Sequence, residues 1–181
     1  MRIEADGFAF DFTDAIDAFR FDEQDKTKSH FHGLSHAMKA VDLVVELPTA
    51  YLFIEMKDFH AADDYNFKCA MDSAQRTQRQ VCFNHLRDVL RDKFRDTWLY
   101  RWAEEKADKP IHYLCLLTLD NALLSLMGKE LQRQLPAGAG GPRWSRALAQ
   151  SCAVLNLERW NANFPRWPVI RIGYRSSPTH M

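Results

Sequence analysis

Two apolar runs separated by a proline constrain this chain more than any other feature. AVDLVVEL (40–47) and AYLFIEMKDF (50–59) are rich in β-branched and aromatic residues, and Pro48-Thr49 interrupts them. Such composition suits strands, and so short a break between two of them reads as a β-hairpin. If the strands pair symmetrically about the break, facing positions have numbers that sum to a constant. Glu46 then faces Tyr51, Val44 faces Phe53, and Asp42 faces Glu55. Directly opposed residues in an antiparallel pair have Cβ atoms about 4.5–5.5 Å apart. Register decides the outcome, because a one-residue slip turns Asp42 to the opposite face.

Two carboxylates at that separation repel, and one of them tends to take up a proton unless a cation lies between them. A divalent ion such as magnesium removes the conflict, since it takes hard oxygen ligands and keeps several waters that a substrate can displace. Lys57 lies two residues beyond Glu55 and therefore projects from the same face. An amine beside a metal can orient an attacking water and offset charge on a phosphate in transit. The same three residues would also serve a solvated strand face on which Lys57 neutralises Glu55.

The rest of the chain supplies the scaffold. Residues 2–12 alternate loosely and suggest a short strand. A short helix is expected after Thr13 or Asp14, with Ile16 and Phe19 inward and Glu23 one turn further on that side. A polar loop follows, leading towards a strand around Phe31 to Met38. From Asn66 to Glu104 apolar residues recur at helical spacing, and that length suggests a break near Asp96–Thr97. IHYLCLLTL (111–119) suits a strand covered on both faces. Asn121 can cap a helix through Gln134, LPAGAGGP is a loop, 144–163 lean helical, and VIRIGY (169–174) is a final strand. Residues 1–175 read as one domain, with a core over about 13–119, an extension over 120–175 and a tail over 176–181. The expected class is α/β, a mixed sheet flanked by helices.

Composition limits the function. Lysine plus arginine equal aspartate plus glutamate, 24 each, so nothing draws the whole molecule onto a polyanion. Contact with nucleic acid must come from local charge. The start of the long helix, SAQRTQRQ, carries amides and arginines without acids, and Gln75, Arg76 and Arg79 are the candidates for touching a phosphate backbone. The arginines further along alternate with Asp88, Asp92 and Asp96, as a solvated helix face would. His30 and His32 would share a face on a strand, and His60 follows Lys57 closely, but no firm ligand spacing supports a histidine metal centre. Cys69, Cys82, Cys115 and Cys152 form no CxxC pair, which argues against a zinc ribbon and fits a reducing cytoplasm. The N-terminus lacks a signal-peptide pattern, and no apolar run approaches the roughly 20 residues of a membrane span. There is no Gly-rich phosphate loop, GxSxG elbow or HExxH. The tryptophans gather in the C-terminal half, as core or interface anchors would.

Val41-Asp42 followed by Ile54-Glu55-Met56-Lys57 resembles the PD-(D/E)XK nuclease superfamily, the restriction-endonuclease-like fold, whose core order is helix, three strands, helix, strand. The resemblance covers about residues 13–119. It implies metal-dependent hydrolysis of nucleic-acid phosphodiester bonds, with DNA the expected substrate. Asp42 and Glu55 would be the ligands of Mg2+ or Mn2+, the Met56 main-chain carbonyl would complete the set, and Lys57 would position the water. The family often adds an acid from the first helix, and Glu23 fits that place best, with Asp17 second. Val41 stands where many members have proline, and no tyrosine follows Gln75, Gln78 or Gln80 at the spacing one branch uses. A homodimer or a protein partner would suit cutting of two strands. The alternative is a catalytically inactive relative that binds protein or nucleic acid.

Overall fold

The computed structural model describes residues 1–59, 73–138 and 140–172, with side chains of the helix that opens at Ser73 described from Gln80 onward. The chain begins as a hairpin of β1 (Arg2–Ala5) and β2 (Phe8–Asp11). Asp6 and Gly7, at its turn, both have positive φ, 48° and 81°. That conformation is what a two-residue hairpin needs to match strand twist, and an Asp-Gly pair provides it at little cost. The sequence suggested one strand here; the turn signal was present at Asp6-Gly7.

The helix expected after Thr13 is instead a strand, β3 (Asp17–Arg20), paired antiparallel with β4 (Leu43–Glu46). Pairing with the central hairpin satisfies its backbone, and tertiary contact overrides the weak local preference of a short segment. No strand forms over residues 31–38, which run through turns. β4 pairs antiparallel with β5 (Tyr51–Lys57) in the register Leu43↔Ile54, Val44↔Phe53 and Glu46↔Tyr51. The symmetric register about Pro48-Thr49 is therefore the one formed.

α1 (Ser73–Ala103) crosses back to β6 (Ile111–Leu117), which lies parallel to β5. The helix passes Asp96–Thr97 without a break. α2 runs Asn121–Gln134, and its N-cap is Asp120, not Asn121: the Asp120 carboxylate accepts the amides of Ala122 and Leu123. The segment expected to be helical over 144–163 divides into β7 (Ser151–Leu155), parallel to β6, and the short α3 (Leu157–Asn163). β8 (Val169–Arg171) closes against β2.

The result is a mixed α/β fold with a five-stranded sheet in the order β3-β4-β5-β6-β7, a smaller sheet β1-β2-β8, and three helices among the described residues. Strand alternation splits the core in two. Val44, Phe53, Tyr113 and Cys115 face α1 and α2, where Leu86, Leu90, Phe94 and Met127 meet them. Val45, Leu52, Ile54 and Leu116 face the opposite way, onto Phe8, Phe10, Phe12 and Trp160. The central strands are covered on both faces, which explains their nearly unbroken apolar runs. Among the described residues no helix is long and apolar enough to cross a membrane.

Candidate functional site

Parity along the strands puts Asp42, Val44, Phe53 and Glu55 on the α1 face of the sheet. Asp42 lies one residue before β4 and Glu55 within β5, so the two acids come together just past the last formal pair of the hairpin. Both are buried: Asp42 is 5% exposed and Glu55 0%. The Asp42 carboxylate is fixed by backbone, its Oδ2 accepting the Met56 amide at 2.6 Å. Its own carbonyl accepts the Phe21 amide at 2.9 Å, which extends the β3 pairing to this point.

A cation already bridges the pair. Lys93 Nζ donates to Asp42 Oδ1 at 3.2 Å and to Glu55 Oε2 at 2.8 Å. Lys57 Nζ is 3.3 Å from Glu55 Oε1. That buried Oε1 also lies 2.8 Å from Lys93 Nζ, and among the described residues both amines hold it as ion pairs without a well-directed hydrogen bond. Burial, then the neighbouring Asp42, pushes the Glu55 carboxyl up to about 8, against the opposing pull of Lys93 and Lys57. Burial alone would lower Lys93, but the two carboxylates outweigh it and hold the ammonium well above the ordinary lysine value.

In the sequence Lys93 stands among the alternating charges of the long helix, between Asp92 and Asp96. Its spacing carried a different signal. Leu86, Leu90, Lys93, Thr97 and Arg101 recur three or four residues apart, which is one helix stripe, and the other four are all buried. The same turn of α1 grips the segment before Asp42. Thr97 Oγ1 accepts the Val41 amide at 3.0 Å, Asp96 accepts the Lys39 amide at 2.8 Å, and Asp92 takes the Lys39 amine at 3.0 Å. One helical turn thus sets both the backbone that presents Asp42 and the amine that neutralises it.

Comparison with family models, with curated proteins and with solved structures found no match to this chain. The site is therefore interpreted from its own chemistry. Among the described residues no group of three or more His, Cys, Asp or Glu side chains is arranged to hold a metal ion. Any divalent ion would depend on Asp42 and Glu55 with other oxygens. The donor set fits magnesium or manganese: two hard carboxylates suffice for an ion that keeps waters of its own.

The structure does not bring Glu23 to this pair. It lies beyond β3, not on a helix, and its carboxylate accepts the Asp25 amide at 2.9 Å in its own turn. Asp17 is paired to the backbone of β4 opposite Glu46 and lies 3.9 Å from His30 Nε2. His30 and His32 stack on Phe19 and Phe21 from a loop, not from a strand. His60 and the side chains of Gln75, Arg76 and Arg79 lie outside the described residues. Further along α1 the arginines are paired internally: Arg87 with Asp88, and Arg91 with Asp88 and Asp92. These contacts fit a solvated helix face.

Proposed function

We propose that this chain is a metal-dependent phosphodiester hydrolase of PD-(D/E)XK type acting on nucleic acid, with DNA the expected substrate. One observation carries the reading: two buried carboxylates from adjacent antiparallel strands converge on a single cation position, with Lys57 alongside. The strand–strand–strand–helix–strand order of β3, β4, β5, α1 and β6 supports a restriction-endonuclease-like core. The described chain departs from that core in opening with strands where a helix leads.

In this reading Asp42 and Glu55 hold the Mg2+ or Mn2+ ion, and the Met56 carbonyl completes the protein ligands. Bound there, the ion would supply Lewis acidity to the scissile phosphate and lower the pKa of a coordinated water. The Met56 amide fixes Asp42 Oδ2, so Oδ1 is the oxygen free to turn towards a cation. Lys57, 36% exposed, is the group at the rim. Its amine can hold the attacking water and offset negative charge that grows on the phosphate. Gln75, Arg76 and Arg79 are proposed to contact the backbone of the nucleic acid.

A second reading is favoured by Lys93. With it in place, the two acids Asp42 and Glu55 are matched by two amines, Lys57 and Lys93, without any metal, as they would be in a catalytically inactive binding module on the same scaffold. Incubation with plasmid and single-stranded DNA, with and without magnesium, separates the two. Magnesium-dependent cleavage lost in Asp42→Ala and Lys57→Ala is the expected result. Absence of cleavage, or cleavage indifferent to both substitutions, overturns the catalytic reading.

A further inference from the structure

We propose that Lys93 is a tethered counter-cation: its ammonium occupies the position between Asp42 and Glu55 and must withdraw before a divalent ion binds there. This rests on the reading of the acid pair as a metal site, and it adds a competitor built into the chain.

Lys93 sits on the inward stripe of α1 with only 12% of its side chain exposed. A lysine is rarely held in such a place without a partner, because the loss of its hydration has to be offset by the groups it meets. Among the described residues its partners are the two candidate ligands: Oδ1 of Asp42 and both oxygens of Glu55. All three of these oxygens are atoms a metal would need. An ammonium and a divalent ion cannot both contact those oxygens, since like charges so close together in a desolvated site repel strongly. Departure is mechanically simple. The four-carbon stem is flexible, so the amine can leave without movement of α1. The backbone that presents Asp42 would stay in place, because Thr97 and Asp96 hold it independently of Lys93. Both Glu55 oxygens lie 2.8 Å from the ammonium nitrogen, so the amine covers the whole carboxylate that a metal would need.

The consequence is a site that folds without metal and binds metal more weakly than its carboxylates would allow. Lys93→Met keeps an unbranched stem of similar length and removes the charge. Mn2+ binding to the full chain, followed by calorimetry and electron paramagnetic resonance, is compared for wild type, Lys93→Met and Asp42→Asn/Lys93→Met. Lys93→Met is expected to bind Mn2+ about tenfold more tightly or better. Its melting temperature should fall in chelator and recover in Mn2+, and the double variant should lose the gain. As a second measurement on the wild type, acylation of Lys93 by an amine-reactive reagent, read by mass spectrometry, should increase when Mn2+ saturates the chain.

Equal Mn2+ affinity in wild type and Lys93→Met, no binding by either, failure of Lys93→Met to fold even in Mn2+, or unchanged Lys93 labelling at saturation each overturns the proposal. Binding by Lys93→Met but not by wild type supports the tethered cation and removes the catalytic reading. Equal affinity accompanied by Mn2+-dependent cleavage does the reverse.

Discussion

Glu55→Gln should flatten the pH dependence of stability between about pH 4.5 and 8, measured in chelator so that no metal occupies the acids. Glu55 is fully buried, and its carboxyl is pushed from 4.5 up to about 8. The folded chain therefore holds a proton that the unfolded chain has already released. Below pH 4.5 both states carry it, and the group has no effect. As pH rises through the window the unfolded state gains the advantage of ionising in water, so stability falls, and above pH 8 the full cost is present. Lys93 is protonated in both states throughout this window and adds no slope there, since its raised value matters only above the ordinary lysine range. A difference of about 3.5 units at ~1.36 kcal/mol each sets a rigid-site ceiling near 5 kcal/mol. Relaxation and water entry reduce such penalties, so about 2–4 kcal/mol is expected. For a chain of this size that is roughly 5–15 °C in melting temperature. Titrating groups that do not touch Glu55 contribute equally to both proteins, so the difference between the two curves isolates Glu55 and its immediate partners. The assay is thermal or urea unfolding of wild type and Glu55→Gln at half-unit steps from pH 4.5 to 8.5. Parallel curves would refute the reasoning, because they would mean that burial does not hold the Glu55 proton.

Three further outcomes follow from particular contacts. Thr97→Val should cost about 1–3 kcal/mol in urea unfolding, because the buried Val41 amide loses its acceptor; the same variant should weaken Mn2+ binding, since Asp42 is the next residue. Asp120→Ala should cost about 0.5–2 kcal/mol in urea unfolding by removing the cap of α2, whose Ala122 and Leu123 amides it accepts. Trp160→Ala should cost about 3–5 kcal/mol, because Trp160 is fully buried against Phe10 and Phe164; a loss below 1 kcal/mol would mean that the second core does not depend on it.

Sequence alone was enough for the central hairpin, its register and the approach of Asp42 to Glu55. Strand patterning has a period of two, and a proline break about which two apolar runs are symmetric leaves few ways to pair them. β6 and α2 were legible for the same reason, as long unmixed patterns. Short elements were not. Residues 17–20 became β3 and 151–155 became β7 because each could complete the edge of an existing sheet, and that gain comes from partners distant in the chain. Lys93 belongs to the same class. Its place on the inward stripe of α1 was written in the spacing, but whether an inward lysine meets water, a carbonyl or two carboxylates depends on where the helix docks against the sheet. The chain therefore specified the acids and the strand that brings them together. Only the packing of α1 across that strand decided that their cation is, in this structure, an amine of the chain itself, because charge compensation in a buried site is set by whatever lies within about 3 Å, whatever its distance in sequence.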